Sequence, residues 1–87
     1  MVRLPKTEQK VEGYLVSLGD NVKSLRLKCG LSQQSLAESV GISYPRISEI
    51  ERGRGNPTVR TLQAIADVLD VPIERLFKGS KKTSAVA

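Results

Sequence analysis

The sequence predicts an all-α fold, a compact arrangement of five short helices over residues 17–78. Three observations carry this expectation. Apolar residues recur at helical spacing in each patterned segment, as in Leu18, Val22 and Leu25, or Leu62, Ile65, Ala66 and Leu69. Ser or Thr stands where the first four segments begin, and Gly stands where the first three end. No segment offers a strand of any quality.

Taken in order, residues 1–16 leave three readings open. Val11, Tyr14, Leu15 and Leu18 are spaced like a helix face, but Gly13 weakens a helix. The segment is therefore a short extra helix, an ordered N-terminal arm packed on the domain, or a disordered start. Ser17, with Asp20 three positions later, reads as a capping box that starts the first helix. Its buried stripe is Leu18, Val22, Leu25 and Cys29, and Gly30 supplies a left-handed stop. Ser32 caps the second helix, whose face is Leu36, Ala37 and Val40, and Gly41 closes it. Ser43 caps the third, with Pro45 tolerated in its first turn. Ile42 and Ile47 form a hydrophobic staple, Ile47 and Ile50 point inward, and Gly53 ends the helix. The run RGRGNP, residues 52–57, is a loop by composition. Thr58 caps the fourth helix, with Val59, Leu62, Ile65, Ala66 and Leu69 on its face. Pro72 opens a fifth, with Ile73, Leu76 and Phe77 as its apolar side. Residues 79–87 are a flexible basic tail.

Composition narrows the function. The 87 residues suit one small domain, and with no Trp, one Phe and two Tyr the core must be aliphatic. A formal charge of +5 suits a polyanionic partner, either nucleic acid or an acidic membrane face, and equally a merely soluble basic protein. One cysteine and no histidine exclude an internal disulfide, the usual Cys/His zinc sets and the Ser-His or Cys-His nucleophiles. Cys29 reads as a small apolar filler. No apolar run approaches the ~20 residues that cross a bilayer, and MVRLPKTEQK lacks the apolar block of a signal peptide. A reducing cytoplasm fits best, without a membrane, metal or cofactor.

The second and third helices meet across VGIS, a tight turn containing Gly41. Two short helices joined in this way describe a helix-turn-helix, whose second helix can enter a DNA major groove. The groove is about 12 Å wide, and a helix with its side chains about 10–12 Å across. Alone, the motif is weak evidence, because many small bundles contain one. The longer pattern is stronger. LSQQSLA, SEIERG, NPTVRTLQAIADVLDV and ERLF together resemble the helix-turn-helix domain of the phage repressor and Cro (XRE-like) family, with the likeness covering residues 18–77. The resemblance implies a five-helix repressor-like domain and sequence-specific binding of double-stranded DNA, commonly as a homodimer on a near-palindromic operator.

It also implies roles for particular residues. Tyr44, Pro45, Ser48 and Glu49 stand where relatives read base edges. Tyr44 can hydrogen-bond a base or a phosphate, or lie on a thymine methyl, and Pro45 offers apolar contact. Glu49 can accept from cytosine N4 or instead pair with Arg46 or Arg52. Gln33 begins the second helix, where its amide and the helix N-terminus can hold a phosphate, a place where relatives often carry Gln. Gln34 and Ser43 are further phosphate candidates, although an exposed Gln in a first turn needs no special explanation. Arg46, Arg52, Arg54, Asn56 and Arg60 gather around the end of the third helix and the following loop, for phosphate contact or as a solvated basic loop. Arg26 and Glu51 both border buried faces, and the family often pairs such residues as a structural ion pair between the first and third helices. The expected function is a transcriptional regulator, a repressor, and not an enzyme. The last helix, including Leu76 and Phe77, would form the dimer contact, with help from the N-terminal arm. The alternative is an antitoxin-like module whose main partner is a protein.

Overall fold

The computed structural model describes residues 6–79. It comprises α1 (Lys6–Lys28), α2 (Gln33–Val40), α3 (Tyr44–Glu51), α4 (Val59–Leu69) and a 3₁₀ helix (Ile73–Phe77), with no strand among the described residues. Helix α1 packs against α3, α4 and the 3₁₀ helix, while α2 packs on α3 and α4. Their shared core is aliphatic: Leu18, Val22, Leu25, Leu36, Ile47, Ile50, Leu62, Ile65, Leu69 and Leu76, with Ala37 and Ala66 filling the close contacts. Among the described residues, no helix is long and apolar enough to cross a membrane.

Two of the expected caps form as side-chain hydrogen bonds. Ser32 Oγ accepts from the Ser35 backbone N–H at 2.9 Å, and Thr58 Oγ1 accepts from that of Thr61 at 3.1 Å. At α3, Ser43 has the extended N-cap backbone but makes no capping bond with its hydroxyl. Little is lost there. Pro45 has no N–H to satisfy, and the Arg46 N–H already reaches the Ser43 carbonyl at 3.1 Å. The other end of α3 is closed by Gly53 at φ +78°, which lets the Arg54 N–H return to the Glu49 carbonyl at 2.9 Å.

Four expectations are corrected. The first helix begins at Lys6 and runs unbroken through Ser17, so Ser17 and Asp20 are not its cap. Leu15 packs on the core and carries the stripe one turn further back, and this tertiary contact outweighs the roughly 1 kcal/mol cost of Gly13. Cys29 is exposed just past the end of α1, in the turn that leads to α2. Val59 is 74% exposed, because the first residue of α4 projects beyond the packed face. The last element is a 3₁₀ helix, so four α-helices form where five helices were expected. It buries Leu76 completely and leaves Phe77 47% exposed, so Leu76 belongs to the protomer's own core. The tail read at residues 79–87 lies, apart from Gly79, outside the described residues, as do residues 1–5.

Two contacts set α3 on α1. A Cβ added at Gly19 would lie 2.5 Å from the Ile50 carbonyl oxygen and 2.7 Å from that of Glu51. Only glycine allows the α1 backbone this close to the last turn of α3. One and two turns further along α1, Val22 and Arg26 are buried, and Arg26 meets Glu51. From the same stretch of α1, the half-buried Asn21 side chain donates to the carbonyls of Leu76 (2.9 Å) and Lys78 (2.6 Å), fastening the C-terminal segment to α1.

Candidate nucleic-acid interface

Burial divides α3 into two faces. Ile47 and Ile50 are in the core, while Tyr44, Pro45, Arg46 and Glu49 are exposed. Ser48 is half-buried, so it offers less surface than the other three residues expected to read bases. Among the described residues Glu49 pairs with neither Arg46 nor Arg52, and its side chain leans over Gly55, whose φ is +81°. Its carboxylate is left free to accept.

Arg46, Arg52, Arg54 and Arg60 are exposed and form no ion pair among the described residues. They follow one another along α3, the loop after it and the first turn of α4. Exposed Asn56 lies in that loop and shares a small hollow with Arg46, Glu49, Gly55 and Pro57. On the other side of α3, a second hollow is lined by Arg26, Ser32, Gln33, Gln34 and Tyr44. It brings the start of α2 beside the start of α3. Because Ser32 and Thr58 each engage one backbone N–H, the first N–H groups of α2 and α4 remain available to an anion, favoured by the helix dipoles.

Gln33 and Gln34 behave differently. The Gln34 amide donates to Glu38 Oε2 at 3.1 Å, one turn along its own helix. Gln33 Nε2 donates to Glu51 Oε1 at 3.0 Å, reaching from α2 to α3. Sequence reasoning missed this link, since two polar residues 18 positions apart show no periodic relation. Gly19 is a second such contact, and its only signal in the sequence is a glycine inside a helical pattern, which marks close packing.

The Arg26–Glu51 pair joins α1 to the last residue of α3, and Arg26 itself lines the second hollow. Arg26 Nε donates to Glu51 Oε2 at 2.6 Å and Nη2 to Oε1 at 3.0 Å. Arg26 Nη1 donates to the Leu31 carbonyl at 2.8 Å. The hydrogen bond that Arg26 donates to Glu51 raises its pKa above the ordinary arginine value, with burial opposing and the Glu51 charge reinforcing. Folding stability linked to this proton is therefore present below the ordinary arginine range. It is lost only as pH rises through the still higher folded value, so the cation persists across neutral pH.

Comparison with known proteins gives this geometry a context. A family model described as helix-turn-helix (HTH_3) matches residues 22–76. The chain is 34% identical over 64 residues to the HTH-type transcriptional regulator DdrOP3 of Deinococcus deserti, covering 74% of this chain and 50% of that protein. It is 33% identical over 61 residues to the immunity repressor protein of Bacillus phage phi105, covering 70% of this chain and 42% of the repressor. The chain thus spans about half the length of such curated relatives. Among solved structures, Bacillus subtilis SinR in complex with DNA is similar at 34% identity and a TM-score of 0.67, over 70% of this chain and 98% of that one. SinR has also been solved in complex with the SinI protein, with 33% identity, a TM-score of 0.69 and coverage of 76% of this chain and 65% of that one. The chain belongs to the helix-turn-helix family of XRE-like DNA-binding transcriptional regulators.

Proposed function

We propose that this chain is a sequence-specific repressor that binds a near-palindromic operator in double-stranded DNA as a homodimer. Helix α3 enters the major groove, with Tyr44, Pro45 and Glu49, and to a lesser extent Ser48, against the base edges. Gln33, Gln34, Ser43, Arg46, Arg52, Arg54, Asn56 and Arg60 hold the phosphates on either side. One observation carries the reading. The exposed face of α3, with its unpaired carboxylate, is bordered by four arginines that no carboxylate neutralises among the described residues. Such a cationic frame suits a polyanion, and a single free acceptor inside it suits a base edge. The phage relative bears the name of a repressor, and SinR was crystallised on DNA.

The roles separate experimentally. Tyr44→Ala and Glu49→Ala should relax preference at one or two operator positions, each lost contact being worth about 1–3 kcal/mol of discrimination. Arg52→Ala and Arg54→Ala should weaken all duplexes alike and lower the log-affinity versus log-salt slope by about one unit each. Binding measured over operator variants and over salt resolves both effects. Unchanged sequence preference in the Tyr44 and Glu49 variants would remove α3 as the reading head.

One such module buries only about 600–1,000 Å² on DNA, which favours two copies on half-sites about 34 Å apart or a multiple of that. With Leu76 in the core, Phe77 and the exposed Val11, Tyr14 and Val16 of α1 are among the apolar residues left for a partner. Sedimentation should show a dimer on operator DNA that Phe77→Ser weakens. A monomer at every concentration, with and without operator, would contradict this. The same exposed residues favour the second reading, a module whose main partner is another protein. That reading predicts no salt-dependent gel shift on the DNA beside its own gene.

A further inference from the structure

We infer that Glu51, locked by Arg26, is a positioning residue for DNA binding, holding the Gln33 amide nitrogen where its second N–H can meet a backbone phosphate. The inference rests on the DNA-binding reading above and adds a residue that does not itself touch DNA. Both Glu51 oxygens are held by Arg26, whose third donor, Nη1, fixes the Leu31 carbonyl in the turn leading to α2. The carboxylate therefore has one orientation, and its Oε1 is the acceptor for Gln33 Nε2.

A carboxylate only accepts, so the Gln33 amide cannot be reversed without pressing its own oxygen against Glu51. The amide nitrogen carries two hydrogens, and Glu51 takes one. Beside it opens the hollow lined by Arg26, Ser32, Gln33, Gln34 and Tyr44, which contains no carboxylate of its own. A phosphate there meets the remaining Gln33 N–H, the free backbone N–H groups at the start of α2 and the Tyr44 hydroxyl. An untethered glutamine would instead lose its rotamer freedom on binding. Holding it in advance is worth about three- to tenfold in affinity.

The test is a double-mutant cycle on a mixed-sequence duplex, since a phosphate contact acts on any sequence. Gln33→Ala is made in the unmodified protein and in an Arg26→Met, Glu51→Leu background. That background has the same net charge and fills the buried space with apolar side chains. The expected result is a loss of about three- to tenfold from Gln33→Ala in the unmodified protein and of less than about twofold in the altered background. Equal losses in both, or none in the unmodified protein, overturn the inference while leaving DNA binding intact. Failure of the unmodified protein to bind any duplex overturns both readings. If the altered background does not fold, NMR of the unmodified protein decides. One exchange-protected Gln33 side-chain N–H supports the inference, and a fully averaged side-chain amide overturns it.

Discussion

Arg26→Ala should remove about 3–5 kcal/mol of folding stability, the cost of leaving one partner of a buried pair uncompensated. The side chains of Arg26 and Glu51 are only 8% and 3% exposed, so solvent cannot replace the lost partner. The variant also strands the Leu31 carbonyl and loosens the carboxylate that Gln33 uses. For a domain of this size the loss corresponds to a fall in melting temperature of at least about 12 °C. Removing both charges together, as Arg26→Met with Glu51→Leu, should restore most of it, because an apolar pair avoids the desolvation of two ions. Urea or thermal unfolding of the two variants provides the comparison. A loss below about 1 kcal/mol in Arg26→Ala would place the pair with ordinary surface ion pairs.

Gly19→Ala should be the second large effect, and its sign runs against helix propensity. In an open helical position, Ala is favoured over Gly by about 1 kcal/mol. At Gly19, however, the methyl group would fall 2.5 Å from a backbone oxygen of α3, and neither helix has a flexible side-chain end to yield. Overpacking of this kind costs about 1–3 kcal/mol or more, so the variant should be destabilised or should carry α3 in a shifted position with weaker DNA binding. Gly13→Ala is the internal control, because nothing lies within 4 Å of the added carbon and the propensity gain should appear undiminished. If both variants stabilise the protein, the close approach of α1 to α3 is wrong.

What could be read from the sequence depended on whether the information was local. The Ser32 and Thr58 caps, the left-handed glycine after α3 and the inward Ile47 and Ile50 each follow from a few neighbouring residues, and each is present. The Arg26–Glu51 pair was legible because two charges border buried faces, and a buried charge needs a partner. The start of α1 is not legible locally, because half-buried Ser17 and exposed Asp20 fit a continuing helix as well as a capping box. What decided between the two was Leu15 packing against distant residues. The site divides in the same way. Exposure of Tyr44, Pro45 and Glu49 follows from the period of α3, whereas the bond from Gln33 to Glu51 depends on how two helices cross.

The Asn21 clasp has a consequence for anything attached behind the domain. With the carbonyls of Leu76 and Lys78 both held to α1, the backbone leaves Gly79 in a heading set by the longest helix of the molecule. A fluorescent reporter joined there through a short rigid spacer would share that heading. It would tumble with the domain and report the angle at which α1 is held over a duplex. The same reporter on a long glycine-serine spacer would lose this directional information, since such spacers behave as flexible coils.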